Sequence, residues 1–311
     1  MFRFDFVDDD DNVDQVNVEV IKPCEPSREI SPDFILPLPT NLVVEPILFA
    51  QDLQPIYKRH LSDVKFQLAQ EDQIENGERV NIVGLEDNSD LVAGIYEGGF
   101  KTWECSIDLV RYMSTQLSKD FFDDKKIFEI GCGSALPSLY CLVQHQTCTV
   151  HMQDYNEQVI RLITIPNVMV NTITRPQSDS ELVNGLIELD IEDVDNNQVL
   201  QALSNRTQFF SGDWESLPTL LNLTEENKYD VLLTSETIYS VESHGKLYGL
   251  IKALLKRGGV AYVAAKSMYF GCDGSVLLFR QLVEREGQFK VTTVYTVEER
   301  VRREILALEW L

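Results

Sequence analysis

Glu129, Gly131 and Gly133 fall in the run Phe128-Glu129-Ile130-Gly131-Cys132-Gly133-Ser134, between a strand-like stretch (126–130) and a helical one (134–145). Glycine lets a chain turn tightly and meet a ligand with no Cβ in the way. The helix start beyond it offers N–H groups to a carboxylate. A dinucleotide fingerprint would read GxGxxG or GxGxxA. Here Leu136 stands where a small residue would permit close packing around a pyrophosphate, which weakens that reading. Asp154 ends the next strand, placed to accept hydrogen bonds from ribose hydroxyls. It could instead cap a helix beside Tyr155 and Asn156. Gly212, Asp213 and Trp214 follow a third strand, where an aromatic ring could lie on an adenine and an acid could meet its amine; Trp214 is equally consistent with core packing. Glu236 and Tyr239 follow a fourth strand, and loops at the carboxyl ends of parallel strands bind ligands. A solvated loop glutamate is the plainer reading of Glu236. Lys266 to Phe270, after a fifth strand, could wall the same cleft or simply pack.

Other chemistries find little support. There is no GxSxG elbow for a serine nucleophile, and the four histidines are His60, His145, His151 and His244. His145 and His151 flank a strand and read as structural. Six cysteines form no CxxC pair and have no histidine at zinc-ligand spacing, so no metal site and a reduced, intracellular protein are expected. Cys132 reads as a small loop filler rather than a reactive thiol.

Strands are expected at 126–130, 149–153, 207–210, 230–234 and 260–264, with helices at 134–145, 157–171 and 245–255. That is the rhythm of a parallel, doubly wound α/β sheet. Two closing strands, 291–297 and 304–309, are too close for a parallel crossover and form an antiparallel pair. A helix runs through Trp103, Ile107, Val110, Met113 and Leu117 at helical spacing. Residues 1–60, with the charge run Asp8 to Asp11 and crowded prolines, read as a mostly disordered tail. Residues 61–100 read as a hairpin lead-in: Val64, Phe66 and Leu68 alternate, and Val80, Ile82 and Val83 follow Glu75-Asn76-Gly77. The domain proper is 101–311, and 175–205 is an acidic surface excursion.

The chain has 311 residues, 44% of them hydrophobic, enough for one large domain with an extension. No apolar run reaches the roughly 18 residues of a membrane span, and the acidic first twenty residues lack a secretory profile. A formal net charge of −23 argues against nucleic-acid binding and suits a basic protein partner.

Taken in order, YEGGFKTWECSIDL (96–109), EIGCGS (129–134), QDYN (153–156), IPNVMVN (165–171), FFSGDW (209–214), LLTSETIY (232–239) and AAKSMYFG (264–271) resemble the protein-histidine N-methyltransferases that modify a large-subunit ribosomal protein. The resemblance covers about two-thirds of the chain. It implies a seven-stranded Rossmann-like sheet with an antiparallel strand inserted at one edge, and S-adenosyl-L-methionine as cofactor. It assigns cofactor contact to Thr102, Trp103, Glu104, Cys105, Ser106, Glu129, Gly131, Gly133, Gln153, Asp154, Tyr155, Asn156, Gly212, Asp213, Trp214 and Ser235. Glu236 and Tyr239 match the acidic-x-x-aromatic pair beside the acceptor. The implied substrate is large-subunit ribosomal protein 3, in cytoplasm and nucleus. Lysine methyltransferases of the same wider group share these cofactor residues and are the alternative acceptor class, and a catalytically silent binding protein with this fold is another alternative. The sequence departs from the family's glycine loop at Ala135, where a third glycine is usual.

Overall fold

A computed structural model describes residues 25–35, 41–65, 67, 98–177, 181–192 and 194–311. Four strands build the parallel centre: β4 (Lys126–Ile130), β5 (Thr149–Asp154), β7 (Thr207–Ser211) and β8 (Tyr229–Ser235). β9 (Leu255–Lys266) extends it in parallel beside β8. β10 (Phe289–Val297) and β11 (Arg303–Trp310) form the expected antiparallel hairpin, with β11 between β9 and β10. Alternation along the strands supplies two apolar faces. Ile127 faces one cluster with Val150 and Met152, while Phe128 and Ile130 face the other with Leu232 and Val263. Helices cover both faces. α1 (Glu104–Gln116), α2 (Leu136–Gln144) and α3 close the first. α3 begins as Glu157–Val159, passes through a π-helical turn at Ile160–Thr164 and continues as Ile165–Thr172. Past α4 (Asn196–Arg206), α5 (Leu217–Leu221), α6 (Val241–Leu254) and α7 (Val276–Glu286) lie on the second face.

Four expectations are corrected. The sheet has eight strands, because β1 (Arg28–Ile30) adds antiparallel to the outer edge of β7. The described part of residues 1–60 is therefore not a disordered tail: β2 (Asn41–Ile47) and β3 (Ile56–Arg59) are also strands, and Ile30, Leu42, Val44 and Ile56 are buried in the domain's own core. A segment too poor in apolar residues to build a core can order by borrowing one. Residues 1–24 and 36–40 lie outside the described residues.

The excursion at 175–205 is also structural in its second half. β6 (Ile187–Asp190) pairs with β2 in a three-stranded antiparallel sheet of order β3-β2-β6. α4 then buries Val199 and Leu203, and Asp195 caps it by accepting the Asn197 amide at 2.9 Å. Finally, Val64 lies in a helical turn at 61–65 rather than a strand, packed with Phe100, Val159, Leu162 and Ile163. The turn begins at His60, whose Nδ1 accepts the Ser62 amide. The other hairpin positions, Phe66, Leu68 and 75–83, lie outside the described residues, as do Tyr96 and Glu97.

Asn167 and Asn171, four apart on α3, fasten β3 to the domain. The amide of Asn171 both accepts from Tyr57 N–H and donates to Tyr57 carbonyl, at 2.9 and 2.6 Å. Asn167 accepts the Arg59 amide at 2.7 Å and donates to the Ser134 carbonyl of the glycine loop at 3.0 Å. Among the described residues no helix is long and apolar enough to cross a membrane.

Candidate active site

The glycine loop turns three times into the left-handed region, at Gly131 (φ 61°), Gly133 (φ 49°) and Ala135 (φ 59°). The place where the family's third glycine is usual thus keeps a glycine-like backbone with an alanine in it. Both glycines also make room for the chain itself. A Cβ on Gly131 would stand 2.7 Å from Thr237 Cγ2, and one on Gly133 would stand 3.1 Å from the Gly99 carbonyl oxygen. The Gly98–Phe100 turn therefore lies directly on the loop. The loop's amides are largely consumed internally: Gly131 donates to Gln153 Oε1 (3.3 Å), Cys132 to the Gln153 carbonyl (2.8 Å) and Gly133 to Asp154 Oδ2 (2.9 Å).

Glu129 is fully buried and accepts the Ser138 amide of α2 at 2.9 Å. One of the donors expected at that helix start is thus taken by the chain. Burial pushes the Glu129 carboxyl up to about 8, the nearby Asp154 charge adds to this, and the Ser138 bond opposes it. Gln153, also fully buried, joins two loops: besides the Gly131 amide its Oε1 accepts Trp214 Nε1 at 2.9 Å, and its Nε2 donates to the Gly212 carbonyl at 2.8 Å. Neither side chain faces open space. Both hold the loops that do.

Asp154 ends β5 nearly buried, its two oxygens oriented by the Gly133 and Asn156 amides (2.9 and 3.2 Å). The helix cap beyond it is Asn156, so the capping alternative for Asp154 falls away. Tyr155 and Asn156 are half-buried beside it. After β7, Gly212 takes φ 100°, and its missing Cβ leaves room for Pro26, whose carbonyl oxygen such an atom would approach to 2.6 Å. The carboxylate of Asp213 holds the Lys246 ammonium at 2.9 Å and the Glu215 amide at 2.9 Å. Gly212 and Asp213 are thus committed to the protein, and Trp214, half-buried below Gly131, is the residue of this loop left to meet a ligand ring.

Glu236 is the centre of the second half of the site. It sits past β8 at φ 59°, a conformation that costs a non-glycine residue roughly 1–2 kcal/mol. Its amide is pinned to the Ala264 carbonyl of β9 at 2.9 Å. The carboxylate lies at the N-terminus of α1, where Cys105 N–H donates at 3.4 Å. The Cys105 thiol and the Tyr269 hydroxyl lie within reach of its charge, and the Lys266 ammonium stands 3.6 Å away, 5.2 Å above the Trp103 ring. Burial first, then the Glu236 charge, pushes both the Cys105 thiol and the Tyr269 hydroxyl far above their ordinary ranges, so both remain neutral. Tyr239 meets Tyr269 edge-on with ring centres 6.4 Å apart. Backbone strain held in place by its surroundings, as at Glu236, makes a position a candidate for function.

The remaining positions collect on the same side. Thr102 donates to Ser134 Oγ at 3.0 Å, Trp103 Nε1 to the Gly98 carbonyl at 3.0 Å, and Ser106 to the Trp103 carbonyl at 2.7 Å. Ser235 ends β8, half-buried. Glu104 opens α1 exposed, 3.7 Å from Arg303. Cys132 is buried with its thiol pushed well up by burial, which fits a loop filler. Lys266 and Tyr269 read from sequence as a wall; that Lys266 pairs with Glu236 was not visible. The signal was their place at the end of β9, the strand paired with β8. The arrangement suits a ligand with vicinal hydroxyls and a flat heteroaromatic ring, opposite a fixed carboxylate.

No protein-family profile matches the chain. Similar folds include a precorrin-6y C5,15-methyltransferase from Geobacter metallireducens (11% identity, TM-score 0.39, 66% of this chain and 87% of that one) and a TehB-like SAM-dependent methyltransferase from Corynebacterium glutamicum (11%, TM-score 0.40, 65% and 87%). Such low scores carry no argument. Sequence relatives are stronger. A Mus musculus "Histidine protein methyltransferase 1 homolog" is 32% identical over 286 residues, covering 91% of this chain and 75% of the relative. "Histidine protein methyltransferase 1" of Schizosaccharomyces pombe is 36% identical over 244 residues, covering 73% and 68%. A Dictyostelium discoideum homolog is 38% identical over 215 residues, 69% of this chain. The chain spans 58% to 62% of the length of that relative and its Bos taurus and Rattus norvegicus counterparts. With relatives 32% and 36% identical over 91% and 73% of its length, the chain belongs to the histidine protein methyltransferase 1 family.

Proposed function

We propose that this protein transfers the methyl group of S-adenosylmethionine to an imidazole nitrogen of a histidine in a protein substrate. The observation that carries the reading is the strained, buried Glu236 held beside the glycine loop in a chain of this family. When bound, the cofactor supplies an electrophilic methyl on a sulfonium. Asp154 would accept from the ribose hydroxyls, Trp214 would meet the adenine, and the Gly131–Gly133 backbone would hold the methionine end. Contact from Thr102 to Ser106, Tyr155, Asn156 and Ser235 belongs to the same proposal. Glu129, Gln153, Gly212 and Asp213 act by positioning these groups.

A histidine of pKa ~6.5 is largely neutral and nucleophilic near pH 7, whereas lysine at ~10.4 must first lose a proton. The task is therefore orientation, which lowers the entropic part of the barrier. Glu236 fixes the tautomer by accepting the far ring N–H. The Cys105 N–H and the Lys266 ammonium already lie against this carboxylate, at 3.4 and 3.6 Å. The incoming N–H takes the place of Lys266, the longer of these contacts. Tyr239 and Trp103 wall the acceptor from water.

The substrate in this proposal is large-subunit ribosomal protein 3, in cytoplasm and nucleus. A basic protein suits a chain of net charge −23. Incubating the protein with methyl-labelled S-adenosylmethionine and recombinant large-subunit ribosomal protein 3 tests it. Incorporation of one label per substrate is expected; absence of label, with cofactor binding shown by calorimetry, would remove this substrate.

A further inference from the structure

The segment ahead of β1 crosses the loop that carries Trp214. Glu25 accepts the Asp213 amide at 2.9 Å through its carbonyl. Pro26 lies over Gly212 so closely that any Cβ there would stand 2.6 Å from the Pro26 oxygen. Ser27 donates twice, from its amide to Ser216 Oγ and from its hydroxyl to the Asp213 carbonyl, both at 2.6 Å. β1 then pairs along the edge of β7, Arg28 against Ser211 and Ile30 against Phe209. Arg28 also forms an ion pair with Glu157, at the start of α3, three residues beyond Asp154. The segment thus touches both loops that would flank an adenosine: the one ending in Asp154 to Asn156 and the one from Gly212 to Ser216. The Gly212 amide ties these loops to each other, bonding the carbonyls of Asp154 and Tyr155 at 3.2 and 3.1 Å.

We propose that residues 25–30 form a strap that positions the cofactor site, holding the Gly212–Ser216 loop so that Trp214 is preset against the adenine of S-adenosylmethionine. The inference rests on the cofactor reading above. Loops whose conformation is fixed before binding lose less entropy on binding, so docking of the strap raises affinity. The strap residues act on the ligand through the residues they hold, Gly212, Asp213, Ser216 and Glu157; they are positioning residues. By linkage, a strap that favours the bound ligand must itself be held more firmly when the ligand is present.

S-adenosylhomocysteine is the probe. Ser27→Pro removes both donors of Ser27, and Ser27→Thr keeps both. Calorimetry should find Ser27→Pro weakened about tenfold, the effect of losing two ordinary hydrogen bonds, with Ser27→Thr near wild type. Hydrogen exchange on the wild-type chain supplies a readout that a purely structural strap would not move: saturating probe should slow the amides of Ser27 and Asp213 while leaving those of β10 unchanged. Wild-type affinity in a folded Ser27→Pro variant, or unchanged protection at Ser27 and Asp213 on saturation, overturns the strap. No binding to the wild-type chain would overturn the cofactor reading itself, a separate outcome.

Discussion

At the scale of single residues, the proposed reaction divides the work between Asp154, on the cofactor, and Glu236, on the acceptor. Replacing Asp154 with alanine removes the proposed ribose acceptor and the partner of the Gly133 amide. A loss of about 1–3 kcal/mol follows, one to two decades in the dissociation constant of S-adenosylhomocysteine. A constant within twofold of wild type would take Asp154 out of the site. Glu236→Gln should leave that constant nearly unchanged and lower turnover, because an amide cannot offset the imidazolium charge that develops. The turnover of both forms should rise through the acceptor's pKa of ~6.5 and level off; a rate still climbing above pH ~9 in both would point to lysine. The positions of these residues were legible because loops at the carboxyl ends of parallel strands are recognisable from strand spacing alone. Their settings were not. The positive φ of Glu236 and its contacts with the Cys105 amide and the Lys266 ammonium depend on α1 and β9, which meet only in the folded chain. The commitment of Asp213 to Lys246 is likewise a contact between loop and helix α6 that spacing does not encode.

Among the elements, the alternating strands and helices from β4 onward were legible because their patterns are local and period-specific. The small β3-β2-β6 sheet was not, because its binding partners lie far away in sequence: Tyr57 bonds to Asn171, 114 residues on. β5 carries a pH-dependent load. Burial drives the His151 imidazole down to about 3, Lys126 adds to the effect, and Nδ1 lies 2.8 Å from the Tyr229 hydroxyl. The folded state keeps His151 neutral while the unfolded chain takes up a proton below its ordinary value of 6.5. Its contribution to stability is therefore fully present above about pH 6.5 and is lost as pH falls toward about 3. Between pH 7 and pH 5 the wild type should lose about 2 kcal/mol more unfolding free energy than His151→Gln, measured in urea. Equal losses in the two proteins would place the acid sensitivity elsewhere.

For the whole molecule, charge sets the terms of encounter. A chain of net charge −23 meeting a basic protein gains from long-range attraction that salt screens. Raising ionic strength to the physiological range should therefore raise KM with little change in kcat. An unchanged KM would indicate that recognition is confined to the cleft.

Transfer to histidine is the central claim, and mapping the modified atom tests it most directly. Large-subunit ribosomal protein 3 labelled by the wild-type protein is digested and fragmented in the mass spectrometer, and the mapped histidine is then changed to alanine with neighbouring lysines left intact. The account predicts one methyl on one imidazole and loss of labelling in the alanine variant. A methyl mapped to a lysine, or undiminished labelling of that variant, would contradict it.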